Sequence, residues 1–418
     1  MANTLITPTR VIKEVGRRLV NKPKFANTVN RGYDDQFKGA GGKQGYTVNA
    51  RLPQRYTVNK GPALNPQSVT DATVPITLTD QANVGIEFSM ISLTMEVDDY
   101  RERYIDPAVE TLVNTCDFDG LSRCYKSVNK SVGTPGVTAG STGTLPGAAN
   151  NVYMLGVTKL VEGAVPKPYT AILTANMHQY LVSANSALFN PSAAISAQYK
   201  TGQFGSMALG VDNWFMDENI ATHTVGALGG TPLTNIVTAV AEGATTLVTD
   251  GWTAAAAVRM KDGDVFQVGG VYEVNPQNLQ STGRLMDFVC TGDQSSDSSG
   301  NLTISFTPAM RSTGAFANVN ALPIDGAAIT VFGHASTYAN AVSRQGLMYH
   351  KDAFVMVMAD LEVPGGVWVA QRISNKALGI AVRFVKDYNI MTDQSPARLD
   401  ILYGWKTVRP EMACRIQS

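Results

Sequence analysis

The residue types that most often carry chemistry are few in this chain and poorly spaced for it. None of the histidines falls in HExxH or another metal-binding spacing; they are His178, His223, His334 and His350. No GxSxG nucleophile elbow occurs. The paired carboxylates at positions 34–35 and 98–99 are more typical of solvated faces than of acid–base dyads. We therefore expect surface or packed histidines and neither a catalytic nor a metal site.

Two loops look like ligand-binding loops but lack the required pattern. Residues 39–45 look like a phosphate loop, yet Phe37 stands where the first glycine of GxxxxGK belongs, and Gln44 replaces the Ser or Thr. This segment also precedes a predicted strand, whereas phosphate binding needs a helix N-terminus. Residues 293–300 have the composition of a calcium loop without its spacing, which indicates a hairpin tip. No cofactor is expected.

Composition narrows the class of protein. The 418 residues are enough for two or three domains, and 34 basic residues balance 34 acidic ones. This balance argues against binding nucleic acid or a membrane over the whole surface. Only 16% of residues are charged, which favours a chain that hides much of its surface against other copies.

Neither a targeting signal nor a disulfide pattern is recognisable in the sequence, which favours a reducing compartment. No run of about 18 apolar residues predicts a membrane span, and the first seven residues lack the pattern of a signal peptide. The cysteines show no CxxC spacing, which favours free thiols; they are Cys116, Cys124, Cys290 and Cys414.

The longest helical pattern covers residues 97–128. Apolar residues three or four apart form one stripe, with charged residues on the other side. Asp106 followed by Pro107 is typical of a helix start, and residues 117–120 could stop or bend the helix. One long helix and two shorter core helices both remain open.

The first 85 residues predict segments that reach away from a core. Residues 1–40 are basic and predict an arm on a neighbouring subunit or on something acidic, with a solvated terminus as the alternative. Residues 46–52 alternate with period two, with 55–58 as a possible continuation, and 74–78 and 84–88 also alternate, around a tip rich in Gly, Pro and Asn. This pattern predicts a protruding hairpin, which needs support from another molecule.

The rest of the chain predicts an α+β core with an inserted β domain. Helices over 153–164 and 175–183 flank a short strand at 169–173. From 225 to 332, short β runs between Gly, Asp and Asn turns, with separate runs at 265–268 and 271–274 among them, predict a small barrel or sandwich. Helix-compatible sequence returns at 338–342. Strands are then expected at 354–358, 367–371, 377–387 and 398–406.

Several motifs, in order along most of the chain, resemble those of P22-type bacteriophage coat proteins. The segments that carry the resemblance are Arg103-Tyr104-Ile105-Asp106-Pro107-Ala108, Lys261-Asp262-Gly263-Asp264-Val265-Phe266, Gly269-Gly270-Val271-Tyr272-Glu273-Val274-Asn275, Gly283-Arg284-Leu285-Met286-Asp287-Phe288-Val289, Thr307-Pro308, and Tyr403-Gly404-Trp405-Lys406-Thr407-Val408-Arg409-Pro410-Glu411.

The resemblance implies an HK97-like capsid fold. The expected parts are an N-terminal arm (1–40), an extended loop (41–85), a peripheral domain with the spine helix (86–150), an axial domain (151–224), an inserted all-β barrel domain (225–333), and a second axial part that returns to the peripheral domain (334–418). It further implies a major capsid protein of a tailed phage that encloses double-stranded DNA in an icosahedral shell. No catalysis is implied.

The implied partners are other copies of the chain, in pentamers and hexamers, together with a scaffolding protein and a portal protein. Packaged DNA and a decoration protein are further candidates, and no membrane partner is expected. The implied location is the virion capsid, with assembly in the host cytoplasm.

Two sets of contact residues follow as hypotheses. Basic residues of the extended loop would pair with acidic residues near the spine helix across subunits: Arg51, Arg55 and Lys60 with Asp99 or Glu110. In the arm, Arg17 and Arg18 would contact scaffolding protein or DNA.

Three alternatives compete with a shell protein. Another self-associating virion protein, of the tail or a decoration, is the main one, although the long helix and the β insertion disfavour it. A hydrolase with a β accessory domain lacks a nucleophile–base constellation. A monomeric binding module on a cell surface is disfavoured because no signal peptide is seen.

Overall fold

The computed structural model describes residues 24–33, 47–58, 60–62, 66–67, 71–89, 106–139, 150–184, 209–332, 338–375 and 380–418. Several predicted segments lie outside these residues: most of the arm (1–23 and 34–40), residues 41–45, the first part of the long helix (97–105) and His334. The chain forms two compact units. The first comprises Met1–Arg51, Thr73–Leu121 and Phe354–Val408, and the second comprises Leu52–Ala72, Ser122–Ala353 and Arg409–Ser418.

The described α-helices are α1 (Phe25–Thr28), α2 (Asp106–Cys124), α3 (Asn150–Glu162) and α4 (Ala175–Ala184). The described strands are, in chain order, β1 (Thr47–Arg51), β2 (Thr73–Thr77), β3 (Asp80–Ser89), β4 (Ser131–Gly133), β5 (Tyr169–Leu173), β6 (Asn213–Met216), β7 (Thr222–Thr224), β8 (Gly230–Thr234), β9 (Ala244–Trp252), β10 (Val258–Met260), β11 (Val265–Val274), β12 (Ser281–Cys290), β13 (Gln294–Ser295), β14 (Leu302–Met310), β15 (Ile329–Val331), β16 (Val342–His350), β17 (Phe354–Ala359), β18 (Val369–Asn375), β19 (Ile380–Lys386), β20 (Gln394–Thr407) and β21 (Ala413–Gln417). No described helix has both the length and the apolar composition that crossing a bilayer requires.

The first unit is built on a five-stranded sheet around β20. This 14-residue strand pairs antiparallel with β17, β19 and β3 at different points along its length, and β18 adds to β19. Its inward residues alternate with period two and are buried, as Leu399, Ile401 and Tyr403 illustrate. The alternation predicted for 398–406 is therefore confirmed.

Residues 117–120, at which a stop or a bend was left open, do not stop α2; the helix runs through them. The Asp117 carboxylate accepts hydrogen bonds from the backbone N–H groups of Lys24 (2.8 Å) and Ala26 (3.1 Å), so it caps α1. The Tyr403 hydroxyl donates to Asp119. Both aspartates therefore make contacts with residues distant in the sequence. Helix propensity, which is a local property, does not predict such contacts.

An aromatic cluster explains the glycine inside α2. The Phe25 ring of α1 stacks on Trp405 with centroids 4.9 Å apart and lies 5.5 Å from the Phe354 ring. A Cβ atom at Gly120 would lie 2.6 Å from the Trp405 ring. Only glycine lets the helix backbone come this close to the indole.

The extended hairpin is shorter than predicted. β1 and β2 form a two-stranded antiparallel ribbon, from Thr47 opposite Thr77 to Arg51 opposite Thr73. The ribbon buries one face within its own unit, where Ala50 and Ile76 are fully buried. Residues 80–89, which were expected to continue the hairpin up to residue 85, instead form β3 of the five-stranded sheet. The reason is that ten consecutive pairs with β20 satisfy their backbone groups.

The second unit contains a mixed sheet of order β4-β21-β16-β5-β6, with β7 also paired to β16. Helix α3 packs on β4 and β21. The helices predicted over 153–164 and 175–183 are confirmed, and β5 is fully buried as expected. The helix-compatible sequence at 338–342 does not form a helix. Residues 338–340 form a turn that leads into β16, a central strand whose Leu347, Met348 and Tyr349 are completely buried.

The all-antiparallel sheet of the second unit has the order β15-β11-β12-β14-β9-β8. Its terminal strands meet through a bridge between Leu233 and Ala328, with Thr234 N–H donating to the Ala327 carbonyl at 2.9 Å. The interior contains Phe266, Phe288 and Phe306, with centroids 5.2–5.7 Å apart.

The strands predicted at 265–268 and 271–274 form one strand, β11. Its register against β12 shifts between Gln267 and Tyr272, and Gly270 there adopts φ 81°. The glycines therefore mark an irregularity within a strand, and they were wrongly interpreted as a turn between two strands.

All four cysteines are free and buried, which confirms the absence of a disulfide framework. Burial raises the pKa of the Cys116 and Cys290 thiols and raises the pKa of Cys414 to about 12. At neutral pH these thiols are protonated and shielded, and therefore unreactive.

The packing of Gly120 predicts the effect of adding one methyl group. We expect Gly120→Ala to lower the free energy of unfolding by about 1–3 kcal/mol, because the Trp405 ring must shift. Gly156→Ala is the matched control, since its Cβ would meet Val132 and Met348 at ordinary distances of 3.6–3.7 Å. That helical glycine should cost nothing and can gain up to about 1 kcal/mol. Denaturant midpoints measure both, and equal shifts would contradict the assignment.

The burial of all four thiols predicts how fast they react with a thiol reagent. The native chain should show no rapid reaction with an aromatic disulfide reagent at neutral pH, whereas the guanidinium-unfolded chain should release four equivalents. One or more fast-reacting thiols in the native protein would show that a cysteine is accessible.

Candidate assembly surfaces

Among the described residues, no three His, Cys, Asp or Glu side chains are placed to hold a metal ion. The three described histidines are buried, as the packed interpretation requires. Burial lowers the pKa of His178, and it also lowers the pKa of His350 despite the nearby Asp352 carboxylate. These imidazoles are therefore largely neutral at pH 7.

One histidine lies between a tyrosine and an aspartate, as in a catalytic triad. The Tyr125 hydroxyl lies 3.3 Å from Nδ1 of His223, and Nε2 of His223 lies 2.7 Å from Asp264. All three side chains are buried, and burial raises the pKa of Tyr125, which disfavours a phenolate. The second Asp264 oxygen accepts from Gly226 N–H (3.0 Å) and Lys261 N–H (2.8 Å). The arrangement therefore serves to hold segments together.

The segment between β1 and β2, which was predicted to bind a neighbouring subunit, carries exposed apolar side chains. Leu52 N–H donates to the Ala72 carbonyl at 2.9 Å, and the Gln67 amide bonds both backbone groups of Thr57. Beyond this closure Tyr56 and Val58 are 63% and 88% exposed. A supported segment with exposed apolar side chains is suited to contact another molecule.

The predicted contact residues have different environments. Arg51 on β1 and Lys60 are exposed, whereas Arg55 is half-buried with its guanidinium 5.8 Å from the Phe316 ring centroid. Glu110 is half-buried on α2. Asp99, Arg17 and Arg18 lie outside the described residues. The proposed intersubunit pairs therefore stay a prediction.

A second outward-facing apolar feature, which the sequence did not predict, is the turn between β19 and β20. Ile390 and Met391 are 80% and 88% exposed at its tip. The turn is held by Tyr388 O–H donating to Asp393 at 2.9 Å and by Met391 N–H donating to the Asn389 side chain at 3.0 Å. These hydrogen bonds stabilise the turn that presents the two exposed apolar side chains.

A buried group of charges joins the mixed sheet to the all-antiparallel sheet. Lys159 of α3 forms an ion pair with Asp287 of β12, and Lys130 Nζ lies 3.2 Å from Glu273 of β11. Ser131 N–H also donates to Asp287 at 3.3 Å. We call this set, together with Asp264 and Arg415, the ionic junction. The sequence could not reveal it, because its members are up to 285 positions apart.

Burial and the neighbouring charges shift the pKa values of the bases in the ionic junction. Burial is the largest effect on the pKa of Lys159 and would lower it, but the surrounding groups, Asp287 first among them and Glu273 also, together outweigh burial and the pKa is raised. Burial lowers the pKa of Arg415 to about 10. Both side chains are therefore cationic at neutral pH.

Several solved structures resemble the chain at low identity. One from Mycobacterium phage Che8 aligns over 94% of this chain and 91% of its own, with 12% identity and a TM-score of 0.49. The capsid of Ralstonia phage GP4 aligns over 94% and 88%, with 8% identity and a TM-score of 0.44. The CUS-3 coat protein I-domain aligns over 26% and 99%, with 19% identity and a TM-score of 0.19. These likenesses are too distant to carry an argument.

The family assignment rests on the sequence itself. No curated protein matches the chain. The family model described as P22 coat protein, gene protein 5, matches residues 196–416, which is more than half of the 418 residues. The match spans the all-antiparallel sheet and most of the five-stranded sheet. The chain therefore belongs to the P22 coat protein family and is a bacteriophage major capsid protein that forms the phage shell.

Proposed function

We propose that this coat protein builds an icosahedral shell from pentamers and hexamers in an HK97-like arrangement. A scaffolding protein guides assembly in the host cytoplasm, and double-stranded DNA enters through a portal. Membership of the P22 coat protein family is the observation that carries this proposal. A shell-forming role requires no catalytic activity. The exposed apolar and charged residues among those described are suited to contacts between subunits.

Within this arrangement, residues 225–333 act as an inserted β-barrel domain. Its strands are all antiparallel, and the contact between Leu233 and Ala328 joins the two ends of the sheet. Its apolar core is its own. The two connections to the rest of the chain are hydrogen-bonded to each other, since Val225 N–H donates to the Ala341 carbonyl at 2.9 Å and Asn340 N–H donates to Gly226 at 3.0 Å. Adjacent joins are what an insertion requires.

The extended loop lies on a neighbouring subunit in this proposal. Tyr56 and Val58 gain burial there, and Arg51, Arg55 and Lys60 approach acidic residues such as Asp99 and Glu110 on the neighbour's peripheral domain. Single exposed ion pairs contribute about 0.2–1 kcal/mol each. In a shell every such pair recurs at every equivalent interface, so a small energy per subunit becomes decisive.

The basic arm supplies the contact to the shell interior. Arg17 and Arg18 are assigned to scaffolding protein or packaged DNA, because a locally basic segment in a chain of zero net charge is suited to an acidic surface.

Assembly gives the direct test of the proposed function. Co-expression of the chain with its scaffolding protein should yield closed, round shells of uniform size in electron micrographs, because the scaffold sets curvature. Expression of the chain alone should give fewer closed shells and more irregular ones. Tubes, isolated trimers or only monomers in the presence of scaffold would contradict a shell-forming role.

The basic loop gives a sharper prediction about one interface. We expect the double variant Arg51→Glu and Lys60→Glu to reduce shell yield several-fold, because each interface then brings like charges together. Both residues are exposed, so the fold of the subunit should be retained. Lys167→Glu, an exposed base outside the loop, is the matched control and should assemble normally. Undiminished yield and shell stability in the double variant would exclude these pairs.

A further inference from the structure

The ionic junction sorts its charges by structural element. All the bases come from the part that surrounds the mixed sheet, and all the acids come from the all-antiparallel sheet; they are Lys130, Lys159 and Arg415, and Asp264, Glu273 and Asp287. Two neutral amides complete the contact, since Asn129 donates to the Asp287 carbonyl at 3.0 Å and Gln267 donates to the Asp287 carboxylate at 2.6 Å. This sorting holds for the buried members only, because the more exposed Arg284 of β12 pairs with Glu162 of α3 in the opposite sense, at 2.8 Å.

The third base enters from the C-terminal strand. Arg415 on β21 is completely buried, donates through Nη1 to the Gly263 carbonyl at 2.9 Å, and lies 5.7 Å from the Tyr125 ring centroid. Gly263 precedes Asp264, which in turn accepts the Gly226 N–H at the entry to the β domain. The ionic junction therefore reaches from α3 to the join where the chain enters the domain.

We propose that the ionic junction sets the orientation of the β domain on the mixed sheet, and that loss of one buried charge releases the domain while it stays folded. This inference rests on the proposed status of residues 225–333 as a domain. The domain has an aromatic core of its own, so its fold does not need these contacts. Its attachment does, because the buried Lys159–Asp287 and Lys130–Glu273 pairs form only in one docked orientation.

The test uses hydrogen exchange of the unassembled chain, with a reporter remote from the substitution. Asp287→Asn keeps an acceptor for Ser131 N–H but leaves the Lys159 ammonium buried without its counter-ion. We expect exchange at the Gly226 amide to rise roughly a hundredfold or more, the size expected when a buried pair loses one member. Amides shared by β12 and β14 should keep their protection, because the domain remains folded.

Two variants serve as controls. In the double variant Lys159→Met and Asp287→Asn the buried charge is removed together with its partner, so protection of Gly226 should largely return. Asp262→Asn alters an exposed pair between the same two parts, in which Lys126 and Asp262 side chains are 43% and 38% exposed. This substitution should change exchange at Gly226 by less than about fivefold.

Two outcomes would overturn the inference. Unchanged exchange at Gly226 would mean that the ionic junction does not hold the domain, and a parallel rise at Gly226 and in the β12–β14 amides would mean that the domain unfolds with it. If Asp287→Asn does not fold, Glu273→Gln tests the same expectations through the Lys130 pair. Because the chain is unassembled throughout, these outcomes are independent of whether it forms shells.

Discussion

Backbone pairing along two central strands holds each unit of this protein together. β20 pairs with β3, β17 and β19, which lie between residues 80 and 386, and β16 brings together β5, β7 and the C-terminal β21. Each of these strands is largely buried, so an unpaired N–H or C=O group there would carry the full cost of desolvation. The layout of helices and loops follows from the need to keep these two strands paired.

This dependence on long-range pairing decides which elements the sequence predicts well. The alternation of Leu399, Ile401 and Tyr403 identifies β20, and the apolar periodicity identifies α3 and α4, because burial of one face leaves a local trace. The strand β16 leaves no such trace: its inner half is buried on both sides, and its first residues are polar. A continuous buried run cannot be assigned to strand or helix by periodicity alone.

The errors in prediction concern residues whose role is tertiary. Gly120 and Asp117 are typical of a helix end, but the glycine makes room for Trp405 and the aspartate caps α1. The glycines at 269–270 are typical of a turn, but they mark a register shift inside β11. At the candidate surfaces, the exposed loop could be anticipated from its composition. The ionic junction could not, because its bases and acids are brought together only by the fold.

The ionic junction also bears on what a shell subunit needs from its interior. Buried ion pairs give up hydration, and apolar residues of similar size often stabilise a fold equally well. Stability alone therefore does not account for three bases that face three acids in a protein in which only 16% of residues are charged. An apolar contact tolerates small rotations, whereas Lys159 and Asp287 are satisfied in a single geometry. A subunit that must meet identical neighbours at fixed angles gains from such a contact, because an error in the attachment of one domain would be repeated at every interface of the shell.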